Sequence, residues 1–194
     1  MNGRRSVAQY RAMDLFMFAV MLAVFETVVV TAARRWFPSE PWAVSVTPAV
    51  TAIVLMRWGP WAAIHAALGG VVFCYMSRAS GAQYIIYIIG NLASLGALII
   101  RKQWTPEGIR ESTAKSLAFA LAVALLMQLG RVLLALMLGN PLALALGFFT
   151  TDAVTLLFTL VLLWITRRLD GIFEDQKHYL LRLHEQEKEE RGGF

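Results

Sequence analysis

Six apolar runs separated by short turn-forming breaks fill most of the chain, at 13–33, 43–56, 61–77, 83–100, 116–138 and 142–166. A helix needs about 20 mostly apolar residues to cross a hydrocarbon layer about 30 Å thick, so these runs predict membrane-spanning helices. The second is short and carries Pro48. The breaks hold turn and cap residues: Pro38 and Pro41, Gly59-Pro60, Ser80-Gly81, Thr105-Pro106-Glu107-Gly108 and Gly139-Asn140-Pro141. The pattern predicts an all-α polytopic membrane protein, with six transmembrane helices forming one domain over residues 1–166.

After Thr166 the pattern changes abruptly. Leu169, Ile172, Phe173, Leu180 and Leu183 recur at helical spacing among Glu174, Asp175, Lys177, Arg182, Glu185, Lys188, Glu189 and Glu190. Residues 167–194 are therefore expected as a cytoplasmic amphipathic helix and tail. Two readings are open: the last span runs on into water with a solvated face, or the helix rests on a partner or on lipid headgroups.

Composition sharpens this picture. Apolar residues make up 58% and charged residues 16% of the 194 residues. A water-soluble domain has roughly half and a quarter. Cys74 is the only cysteine, which excludes an internal disulfide scaffold. The net charge of +5 does not predict nucleic-acid binding, because the Lys and Arg fall between apolar runs rather than along one patch.

Their distribution predicts orientation. With the N-terminus inside, Arg4, Arg5, Arg11, Arg57, Arg101, Lys102, Arg110, Lys115, Arg167, Arg168, Lys177, Arg182, Lys188 and Arg191 share one side. The other side holds only Arg34, Arg35 and Arg78, while Arg131 lies within the fifth run. Positive loops stay cytoplasmic, so both termini are assigned there. Fusing the second and third runs into one re-entrant unit would put the basic 101–115 loop outside, which the bias opposes. The first run is about 20 residues, longer than the 7–15 of a secretory signal core.

Chemistry-bearing motifs are absent. There is no GxxxxGK[ST] loop, no HExxH, no CxxC and no GxSxG, and His65, His178 and His184 are scattered. No cofactor, metal or catalytic site is expected. An intramembrane enzyme using Glu26 or Asp152 as acid or base would lack a nucleophile or metal partner.

What stands out instead is polar residues within apolar runs, each costing a few kcal/mol unless it faces a cavity or a partner. At about 1.5 Å per residue, Glu26, Asn91, Arg131 and Asp152 from four helices fall roughly 10–15 Å below the outer surface. Gln128 lies one turn from Arg131. Tyr84, Tyr87 and Asn91 share one helix stripe, as do Asp152, Thr155 and Thr159. Trp36, Phe37 and Trp42 lie above as a candidate lid. These residues predict a polar pocket open to the outside. The competing account is internal pairing of Glu26, Arg131 and Asp152, with the tryptophans as an interfacial belt. Two carboxylates against one guanidinium leave an anion over, which favours a zwitterionic or cationic ligand, and the aromatics favour one with a flat ring.

The arrangement resembles the substrate-binding S-components of energy-coupling factor (ECF) transporters, the vitamin-uptake systems of prokaryotes. Ala19 and Ala23 match that family's AxxxA motif, and Arg57-Trp58-Gly59-Pro60-Trp61 is similar to its glycine-proline inner loop. The resemblance implies a six-helix subunit of a prokaryotic plasma membrane, with both termini inside, that binds a vitamin-like micronutrient near the outer face. It also implies docking through Ala19 and Ala23 on a transmembrane T-component that sits on two cytoplasmic ATPases. Small side chains there would let helices approach closely. A structural scaffold of the MreD type, which resembles the S-component fold, is the alternative, with 169–193 as its partner-binding platform.

Overall fold

A computed structural model describes residues 6–40, 42–169, 171–180 and 182. Among these residues the chain is helical and has no strand. The elements are α1 (Val7–Trp36), α2 (Thr47–Trp58), α3 (Ala62–Ser77), α4 (Gly81–Asn91), α5 (Ala97–Trp104), α6 (Pro106–Glu111), α7 (Thr113–Met137), α8 (Leu142–Thr151) and α9 (Ala153–Thr166). Short 3₁₀ turns at Gly59–Trp61 and Leu92–Gly96 link α2 to α3 and α4 to α5.

Five helical stretches are long and apolar enough to cross a membrane: Val7–Trp36, Thr47–Ser77, Gly81–Trp104, Thr113–Met137 and Leu142–Thr166. The second is folded on itself. Gly59 takes φ +60°, a left-handed conformation that costs glycine little, and reverses the chain. A Cβ at Gly69 would overlap the Thr47 side chain, so α3 returns alongside α2. The hairpin's first arm is short: twelve residues of α2 extend about 18 Å. Ten of those residues, from Thr47 to Arg57, are buried, so α2 lies inside the bundle with little surface left for lipid.

Large exposed side chains such as Phe16, Val20, Val24 and Val28 on α1 or Leu129 and Leu133 on α7 form an apolar outer surface. That distribution fits lipid as the surrounding solvent, since water would penalise so much exposed hydrocarbon. α4 and α7 approach most closely where Gly90 meets Gly130, a contact that leaves no room for a Cβ on either side. This crossing fixes which residues of the two helices face one another.

The bundle has two dissimilar ends. At one, residues 37–40 and 42–46 form an irregular strap between α1 and α2. At the other, the chain leaves α9 and turns back in a clasp. The stretch expected as one amphipathic helix is instead turn and bend through 167–169 and 171–174, and among the described residues is helical again at 176–180 and 182. Phe173, expected on a surface stripe, is fully buried in the main core, edge-on to Phe119 at 6.5 Å. Arg57 donates to the Gly171 and Ile172 carbonyls, Arg101 pairs with Asp175, and Arg110 and Arg182 both pair with Glu174. Leu183, His184, Glu185, Lys188, Glu189, Glu190 and Arg191 lie outside the described residues.

Candidate functional site

The Gly90–Gly130 crossing sets Asn91 beside Arg131. Arg131 donates through Nε to Asn91 Oδ1 at 2.8 Å and through Nη1 to Asp152, while its guanidinium lies 4.4 Å from the Tyr87 ring centre. Asn91 Nδ2 donates onward to the Ala66 carbonyl at 2.9 Å. Tyr87 stacks on Phe73 at 4.7 Å and meets Phe148 edge-on at 5.7 Å. Asp152 sits at the corner between α8 and α9, where the last span breaks. All four residues are buried. An ion pair taken out of water loses hydration, and a complete set of partners is what makes it tolerable.

Glu26 belongs to a second, adjoining cluster. Its Oε2 accepts from the Val46 N–H at 2.9 Å, the Thr47 N–H at 3.1 Å and Thr47 Oγ1 at 3.1 Å. The carboxylate of α1 therefore caps the N-terminus of α2, where unpaired N–H groups and the helix dipole favour a negative charge. Pro48 fits the same helix start, since its missing N–H has no partner to lose there. Glu26 Oε1 is buried with no hydrogen-bond partner.

Between the clusters runs the strap itself. Ala43 N–H donates to the Thr151 carbonyl at 2.9 Å, and Ser45 N–H donates to Thr155 Oγ1 at 3.1 Å. Thr155 Oγ1 in turn donates to the Ala43 carbonyl at 2.9 Å. Residues 43–45, expected as the start of a span, thus lie outside any helix and are tied to the α8–α9 corner. The hollow expected among Glu26, Asn91, Arg131 and Asp152 is a closed polar layer, part of it filled by the chain's own backbone. Gln128 and Thr155 are buried in that layer, and Tyr84 packs half-buried near Cys74.

Open space lies one layer further out. A pocket of about 290 Å³ sits under the strap, walled by Val30, Arg34, Glu40, Trp42 and Phe73 among others. Val30 is one turn above Glu26 on the same face of α1, and Phe73 is the ring stacked on Tyr87, so the closed layer lies just beneath this pocket. Trp42 lines it, 6.2 Å from Phe37. Trp36 is largely exposed at the end of α1 and is not part of its wall. Ala19 and Ala23 are half-buried at the margin of the buried stripe of α1, next to exposed Val20 and Val24.

Sequence reasoning missed two participants in the layer and one acid at the clasp end. Ser45 and Thr47 reach the layer from a loop and a helix start, which leave no periodic signal. At the clasp end Asp14 is half-buried against Arg57, whose Nε donates to it at 2.8 Å, and accepts from Trp58 Nε1 at 2.6 Å. A lone acid near the end of an apolar run, with an arginine in the facing turn, was the available clue. Among the described residues no group of three or more His, Cys, Asp and Glu could hold a metal ion. No family model, no curated protein and no solved structure matches the chain.

Proposed function

We propose that the chain is the solute-recognising membrane subunit of a multicomponent uptake system, of the kind the ECF S-component resemblance implies. The observation that carries this reading is the pocket under the strap. It combines one cation, one anion and the rings of Phe37, Trp42 and Phe73 in a volume of about 290 Å³. Such a wall suits a small zwitterionic solute with a flat ring. Arg34 and Glu40 take over the recognition role first assigned to the buried acids, which are engaged within the bundle.

In this proposal α2 counts as a sixth, shortened transmembrane segment. The clasp end, rich in Arg and Lys, faces the cytoplasm of a prokaryotic cell and the strap end faces outward. Ala19 and Ala23 form the docking edge for a T-component carrying two ATPases, consistent with the lack of a nucleotide loop in the sequence. The test is a thermal-shift screen of the purified protein against vitamins and their precursors, with mass spectrometry of small molecules retained through purification. The reading expects one compound to raise the melting midpoint in the wild type but not in Trp42→Ala or Glu40→Ala. No stabilising compound, together with no co-purifying T-component, would overturn it.

A scaffold of the MreD type is the second reading, favoured by the charged surface around the clasp. There Arg110, Arg167, Arg168, Glu174 and Arg182 line an open pocket of about 400 Å³. Truncation after Arg182 combined with Arg168→Glu separates the two, because together they remove the tail and reverse a charge of that surface while sparing buried Phe173 and the ion pairs of Glu174 and Asp175. A scaffold that binds through the tail loses its partner, whereas a solute-binding subunit keeps its ligand.

A further inference from the structure

At the strap end, the ends of α1 and α3 border a cleft of about 750 Å³ lined by Thr31, Arg34, Arg35, Tyr75, Met76 and Arg78. Its three arginines come from two separate parts of the chain, the last turn of α1 and the residue that ends α3. Among the described residues none of the three is in an ion pair with a carboxylate. They are also the only Lys or Arg residues that the sequence places at this end of the bundle.

Three guanidiniums lining one cleft with no carboxylate in its wall repel one another, and one hydrogen bond spans the cleft. Arg34 Nη1 donates to the Met76 carbonyl, which ties α1 to α3 across the cleft. Arg78 caps α3 in the left-handed region at φ +57°, a conformation that disfavours an arginine and that glycine or asparagine would adopt more readily. At this position, suited to a smaller residue, Arg78 adds a third guanidinium to the cleft. The hydroxyls of Thr31 and Tyr75 add donors at the rim.

We propose that this cleft binds a phosphate group of net negative charge, held by Arg34, Arg35 and Arg78. Guanidinium presents a planar fork of donors matched to phosphate oxygens, and several such forks can share one phosphate. The source is either the headgroup of an anionic lipid or a free phosphate. The exposed Tyr75 and Val71 beside the cleft place it where lipid headgroups would lie. The proposal does not rest on the solute pocket, although Arg34 touches both. Its test therefore changes Arg35 and Arg78 and leaves Arg34 alone.

The full-length protein is reconstituted in bilayers of equal parts phosphatidylglycerol and phosphatidylcholine, then extracted in neutral detergent for native mass spectrometry. In parallel, its melting midpoint is measured in inorganic phosphate and in chloride at matched ionic strength. A lipid site predicts selective retention of phosphatidylglycerol, and a free-anion site predicts stabilisation by phosphate over chloride. In either case the Arg35→Gln/Arg78→Asn variant binds about tenfold more weakly or worse, as expected for losing charge-assisted hydrogen bonds. Asn keeps the left-handed backbone accessible, and Arg35→Gln alone, on a regular exposed helix turn, provides a second variant with a partial loss. Equal retention of both lipids with no difference between phosphate and chloride overturns the proposal. So does selectivity that survives in the double variant.

Discussion

The two ends of this bundle treat the same residue type in opposite ways. At the clasp end each of Arg57, Arg101, Arg110 and Arg182 meets a carboxylate, while Arg11 and Arg168 lie 4.5 and 4.4 Å from the rings of Trp61 and Trp164. At the strap end Arg34, Arg35 and Arg78 have no acidic partner among the described residues, and two open spaces adjoin them. The clasp end uses its ion pairs to tie α1, α2, α5, α6 and the segment after α9 together. The strap end carries donors that remain available to something else. Between them lies a closed polar layer that belongs to the packing.

Breaking the clasp end should have the largest effect. Asp14→Ala leaves the buried Arg57 guanidinium without its carboxylate, and the loss is expected at about 3–5 kcal/mol, read as a strongly lowered melting midpoint in detergent. Phe173→Ala, which empties a fully buried site against Phe119, should cost a similar amount, about 3–5 kcal/mol, by the same measurement. A milder change is expected in the polar layer. Glu26→Ala removes the acceptor for two N–H groups at the start of α2 and should cost about 1–3 kcal/mol. Glu26→Gln keeps one carbonyl acceptor there and should cost less. The smallest effect belongs to the strap end: Arg35→Gln should shift stability by no more than about 0.5 kcal/mol in the absence of anions. If it instead destabilised as much as Asp14→Ala, the two ends would not differ in kind.

Much of the helical organisation was legible in the sequence, because bilayer thickness sets a minimum length that apolar runs either meet or miss. The juxtaposition of Asn91, Arg131 and Asp152 was legible for a related reason: charged groups inside apolar helices must find one another, and depth along each helix restricts which can meet. Glu26 shared that depth but serves another purpose, and only the path of the strap shows it. Residues 43–46 enter the bundle outside any helix, held by Glu26 and Thr155, and an irregular segment without periodicity gives no sign of where it lies. The clasp was hidden for the opposite reason. Leu169, Ile172 and Phe173 do have helical spacing, but tertiary packing of Phe173 and the ion pairs of Glu174 and Asp175 favour a turn. The convergence of Arg34, Arg35 and Arg78 was visible only as a small count of charges, since nothing local says that α1 and α3 end side by side.

The central claim is that solvent reaches the pocket under the strap and stops above the polar layer. Thiol labelling with a membrane-impermeant maleimide tests it most directly, because Cys74 is the only native cysteine and is buried. In membranes, Glu40→Cys should label rapidly and Gln128→Cys should remain unlabelled until the protein is denatured. Comparable labelling at both positions would show an open hollow among Glu26, Asn91, Arg131 and Asp152 and would contradict the closed layer described above.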